Sequence, residues 1–242
     1  MAATPQAAQG AVPLRLRRIG WRHPEWWVML VAAAAWAFVV ATSLRHAAHA
    51  HTVPGVGHGI IATVVMVAAM MLPLVLANVR HVAFSSLWRR RHRAMAAFLV
   101  GYLCCWIVAQ TVIQGTLGFL TPSLGWTLVA GLAMVTAVLW GVSPGRKRRL
   151  KRCGLTVPLA PRGWRADTDC ARYGVITGLS CVTTCWALMA AVAAFSHSVL
   201  VMAVVLGVQV SDRYQQRPSP VLAALAVLGV CLLSLAAGVS HH

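Results

Sequence analysis

What most constrains this chain is a succession of apolar runs too long and too numerous for a soluble core of its size. They fall at 26–43, 60–79, 94–114, 124–142, 173–195, 198–211 and 221–239. A hydrocarbon layer about 30 Å thick needs roughly 20 apolar residues in helical form, and all but the sixth run come close to that. The sixth is shorter, so it either tilts with extended ends or re-enters from one side. Apolar side chains make up 59% of the chain, charged ones 10%, and the mean hydropathy is +0.73. That leaves too little polar surface for a soluble globule of 242 residues. Inside a bilayer each spanning segment must satisfy its own backbone amides, so the runs are read as helices. The expected architecture is an all-α membrane protein, a bundle of about seven transmembrane helices, or six if the short segment is re-entrant. A basic segment, 1–25, precedes a single multi-pass domain over 26–242.

Charge placement orients the bundle. The formal net charge is +17, from 21 Lys and Arg against 4 Asp and Glu. A soluble protein so basic would suggest a nucleic-acid partner. Here, with the N-terminus cytoplasmic, every Lys and Arg except Arg45 falls on the inner side. The basic residues therefore point to membrane lipids with anionic headgroups and away from nucleic acid. Trp26 and Trp27, at the start of the first run, suit the interfacial belt.

The stretch Gly174 to Met189 reads GVITGLSCVTTCWALM and carries the clearest chemistry. At 100° per residue, Gly174, Gly178, Cys181, Cys185 and Met189 share an arc of about 80° on a helix. Two glycines on one face let another helix approach closely, next to two thiols and a thioether. Cys181 and Cys185, one turn apart, are placed to ligate one soft ion, Cu(I) before Zn(II), with Met189 as a weaker third ligand. The same face also reads as a helix-packing seam. Met66 and Met70 repeat the four-residue spacing on a segment bent by Pro73 and read either as groups that meet the fifth run or as ordinary core filler. Cys104 and Cys105 are adjacent and point about 100° apart, so they cannot share an ion unaided. His46, His49 and His51, with His58 beyond a turn, lie on the outer side and read either as a capture site for the ion or as solvated polar filler.

Catalysis finds little support in this chain. The acids are Glu25, Asp167, Asp169 and Asp212, all on the inner side, so paired carboxylates within the membrane are missing. Nucleotide-binding, serine-hydrolase and zinc-protease motifs are missing too.

Four stretches together resemble a known family: Val67 to Pro73 (VAAMMLP), Gly101 to Trp106 (GYLCCW), Ser143 to Cys153 (SPGRKRRLKRC) and Gly178 to Met189 (GLSCVTTCWALM). In order and spacing they are similar to the bacterial domain-of-unknown-function family 2182, described as predicted metal-binding integral membrane proteins. The resemblance runs from Ile60 to Leu233. It departs at Thr184 and Arg149, where the family pattern has cysteines. The resemblance implies a bacterial plasma-membrane protein that handles a metal and carries no established activity.

Two functions are expected on this reading. One is a membrane protein that binds or moves a copper or zinc ion through Cys181, Cys185, Met189, Met66 and Met70. The other is a non-catalytic subunit or assembly factor, working with a membrane-protein partner or as a homo-oligomer, that uses the Gly/Cys face for packing.

Overall fold

The computed structural model describes residues 23–48, 56–152, 164–195, 198–214 and 226–229, and every regular element among them is helical. In chain order these are α1 (Trp26–Ala48), α2 (Val56–Ser85), a 3-10 turn (Trp88–Arg90), α3 (Arg91–Leu124), α4 (Trp126–Val142), α5 (Pro144–Arg152), α6 (Trp164–Ala194) and α7 (Val199–Tyr214). Four segments are long and apolar enough to cross a membrane: Trp26–Arg45, Gly59–Ser85, Trp88–Leu124 and Arg165–Ala194. Helix α4 is apolar but shorter, at 17 residues. The sixth run forms the 16-residue α7, which carries its helix on to Tyr214. Of the seventh run, 226–229 is helical and the remainder lies outside the described residues.

Several expected boundaries shift, among them that of the second run, which is helix over Val56–Ser85. The uncharged turn expected over 115–123 is helix, because α3 runs through Gly115, Gly118 and Pro122 to Leu124. Pro122 in the last turn forgoes a single backbone bond, and lone glycines break a helix only where something else competes for the backbone. Thr116 and Thr121 bond back to the carbonyls of Val112 and Leu117, at 2.9 and 2.7 Å. The break comes instead at Gly125, whose φ of 79° and ψ of 149° are open only to glycine. The long basic loop holds the short α5, and α6 begins at Trp164, nine residues ahead of the fifth run. Helix α1 runs past the first run to Ala48.

The tightest packing joins α3 to α6, and it rests on glycine. A Cβ at Gly101 would strike the Ala171 carbonyl oxygen, and one at Gly174 would strike that of Phe98. At Gly178 a Cβ would come 3.0 Å from Cys105 Cβ and 3.2 Å from the Tyr102 carbonyl oxygen. Residue numbers rise together along this seam, so α3 and α6 run parallel. Indole N–H groups fasten the neighbours: Trp36 donates to the Ala69 carbonyl, Trp126 to that of Ala194 and Trp140 to that of Thr184, at 2.9 to 3.0 Å. These bonds hold α1 against α2, and α4 antiparallel to α6.

Charged helix ends gather at one end of the bundle. Arg90 and Arg93 both pair with Asp167 in the first turn of α6, at 2.7 and 2.8 Å. Arg146 at the start of α5 pairs with Asp212 near the end of α7 at 2.6 Å, both side chains 5% exposed or less. Arg91 lies over the Phe84 and Trp88 rings, 5.0 and 5.1 Å from their centroids.

A sulfur cluster behind a glycine seam

The face of α6 divides by depth. Its first half, Gly174 and Gly178, is the contact with α3. One turn further, Cys181 is 1% exposed, Cys185 5% and Met189 fully buried. Packing against α3 therefore accounts for the glycine half of this face, and the seam is internal to the chain.

Two anchors fix the depth of the other sulfur groups. On α2, the Thr63 hydroxyl meets Gln114 Oε1 of α3 at 3.2 Å, and Asn78 Nδ2 donates to the Tyr173 hydroxyl of α6 at 2.7 Å. Met66 and Met70 lie between these anchors, both buried, and Met71 beside them is buried too. On α3, Tyr102, Trp106 and Gln110 lie between Phe98, whose ring is 5.2 Å from that of Tyr173, and Gln114. The two methionines, Cys181, Cys185 and Met189 thus occupy similar depths within the buried core that the long helices share.

The surroundings of Cys181 are polar in a particular way. The Tyr102 hydroxyl donates to its Sγ at 3.3 Å. Cys185 and the Trp106 indole also border it, yet Trp106 Nε1 is buried without a hydrogen bond of good geometry. Gln110, fully buried one turn beyond Trp106, leaves both amide atoms without partners. On α7, Gln209 is 3% exposed with both amide atoms likewise unpartnered. Toward the charged end, Arg213 donates to Asn78 Oδ1 at 2.9 Å, extending the Asn78–Tyr173 link.

The remaining candidates lie elsewhere. Cys104 is exposed, while Cys105 is half-buried in the seam with its Sγ 3.8 Å from the Val175 carbonyl oxygen, so the pair does not converge. Thr184 is buried, its hydroxyl spent on the Ser180 carbonyl at 2.7 Å. The Arg149 guanidinium lies 5.8 Å from the Trp140 ring centroid. His46 falls in the last turn of α1, and its side chain lies outside the described residues, as do His49 and His51 entirely. Among the described residues no three His, Cys, Asp or Glu side chains come together. An apolar groove of about 420 Å³ lies where α3, α4 and α6 meet, lined by Ile113, Leu117, Ala133 and Trp186 and by none of the sulfur groups.

Fold and site together define a helical bundle with membrane-length helices around a buried core that holds the Cys181–Cys185 pair. Residues 60–239 match the family PpoB2, described as copper chaperone, and the chain belongs to that family. The motifs quoted above resemble a family of another name, and the two agree on a metal-related protein. Neither the curated proteins nor the solved structures give a match.

Proposed function

We propose that this protein carries Cu(I) as cargo within a bacterial plasma membrane, its N-terminus cytoplasmic, and that Cys181 and Cys185 are the principal ligands. The observation that carries the proposal is the burial of these two thiols, side by side, in the same core as Met189, Met66 and Met70. The donor chemistry suits a soft monovalent ion: thiolates and thioethers with no carboxylate or imidazole among the described neighbours. A structural zinc ion would ask for four nitrogen or thiolate donors, more than the described cluster supplies. Each thiol gives up its proton on ligation, and the thioethers add neutral, polarisable contacts. The copper chaperone family to which the chain belongs supports the same cargo. The outer histidines, His46, His49 and His51, are proposed to deliver or receive the ion.

The packing-subunit reading loses ground on one point, since the glycine face is already covered by α3. A membrane partner or a second copy would have to use another surface.

The test is the metal content of the full chain, purified anaerobically in detergent with Cu(I) supplied, beside the Cys181→Ser/Cys185→Ser variant. About one copper per chain in the parent, lost in the variant, is expected. Equal copper in both would remove these cysteines from the role.

A further inference from the structure

A buried polar group without a partner is costly in any interior and more so in a bilayer, where no water can rescue it. Helix α3 carries two such groups in sequence, Trp106 and Gln110, one turn apart and one turn beyond Tyr102. The three share a face at spacings of four residues. Tyr102 already donates to Cys181, Trp106 borders the same thiol, and Gln110 continues the line. All three carry an N–H or O–H donor. A thiol is a poor acceptor of such bonds, whereas the sulfur of a metal-bound thiolate carries negative charge and accepts them well.

We propose that Tyr102, Trp106 and Gln110 are positioning residues, a line of hydrogen-bond donors on α3 that engages Cys181 and Cys185 once the two sulfurs hold a metal ion. The Trp106 and Gln110 donors that find no hydrogen-bond partner within the bundle are the half of the site that the ion completes. They touch sulfur and not the ion, so they set how firmly the thiolates are held and which way they face. This inference rests on the ligation reading above, and its test separates the two.

The experiment titrates the full chain in detergent, anaerobically, with Cu(I) against a chromophoric Cu(I) chelator, for the parent and for Trp106→Phe, Tyr102→Phe and Gln110→Leu. Each substitution removes donors and keeps a side chain of similar bulk. The expected result is unchanged stoichiometry with affinity roughly tenfold to a hundredfold weaker, the usual consequence of losing an outer hydrogen bond to a metal ligand. A second readout, made on the parent, uses a variant only to assign one resonance. With the indole nitrogens labelled by nitrogen-15, the Trp106 N–H resonance, identified by its loss in Trp106→Phe, is expected to move downfield when Cu(I) is added. Parent-like affinity in all three variants, or an unmoved Trp106 resonance at full loading, overturns the donor line and leaves ligation by the cysteines standing. A parent that binds no Cu(I) overturns both.

Discussion

Gly174 of α6 lies against Phe98 of α3 so closely that a methyl group on residue 174 would overlap the Phe98 carbonyl oxygen. The obstacle is backbone, which cannot swing aside as a side chain can. Gly174→Ala is therefore expected to cost ~3 kcal/mol, the upper end for overpacking, and to lower the melting temperature in detergent by several degrees. Gly178→Ala should be milder, because its nearest atoms, Cys105 Cβ at 3.0 Å and Cys105 Sγ and the Tyr102 carbonyl oxygen at 3.2 Å, leave more room than the backbone overlap at Gly174. Equal melting temperatures for the two variants would contradict the seam.

The Arg146–Asp212 pair joins α5 to α7 almost out of reach of solvent. Removing one partner leaves a buried charge, so Asp212→Asn should destabilise by ~3–5 kcal/mol. Arg146→Met combined with Asp212→Leu should recover much of that loss. Thermal denaturation of the single and double variants decides it, and a double variant no better than Asp212→Asn would show that the pair does more than cancel charge.

How much of this was legible beforehand differs by feature. That Gly174 and Gly178 admit a close neighbour followed from their spacing on one face. Which helix approaches did not, because the complementary glycine, Gly101, lies on a face marked by no repeat of its own. Cys181 and Cys185 were readable as a pair from their four-residue spacing, whereas Tyr102 and Trp106 were not readable as their neighbours. An aromatic residue in an apolar run looks like core until the parallel register of α3 and α6 sets it beside a thiol. Trp36, Trp126 and Trp140, whose N–H groups reach backbone carbonyls of adjacent helices, were hidden for the same reason. The turn expected over 115–123 was misread because glycine and proline break helices in water, where backbone groups have an alternative partner; an apolar run offers none.

Asn78 takes a hydrogen bond from Arg213 and gives one to Tyr173, so it links α7, α2 and α6. In a double-mutant cycle, Asn78→Ala and Tyr173→Phe are expected to be coupled by ~1 kcal/mol, one net hydrogen bond. Additive effects on the melting temperature would argue against the link.

Among the sulfur groups the expected ranking follows donor strength and burial. Cys181→Ser or Cys185→Ser should abolish Cu(I) binding, while Met66→Leu, Met70→Leu and Met189→Leu should weaken it at unchanged fold, since a volume-conserving swap costs under about 1.5 kcal/mol. Cys104→Ser, at an exposed position, should bind as the parent does. Competition titrations against a Cu(I) chelator measure all six. Loss of binding in Cys104→Ser would place the site elsewhere.

Gly125 ends α3 in a backbone conformation that a side chain resists. Gly125→Ala should cost ~1–3 kcal/mol although nothing lies within 4 Å of the added methyl group. Thermal denaturation in detergent detects this, and an unchanged melting temperature would count against the strain.

Because α3 and α6 run parallel, the chain must leave the first and traverse the bundle once through α4 before the second can be laid beside it. The Tyr102–Cys181 contact therefore joins residues 79 positions apart along the chain, and no contact within either helix alone can set the thiol beside its aromatic neighbour.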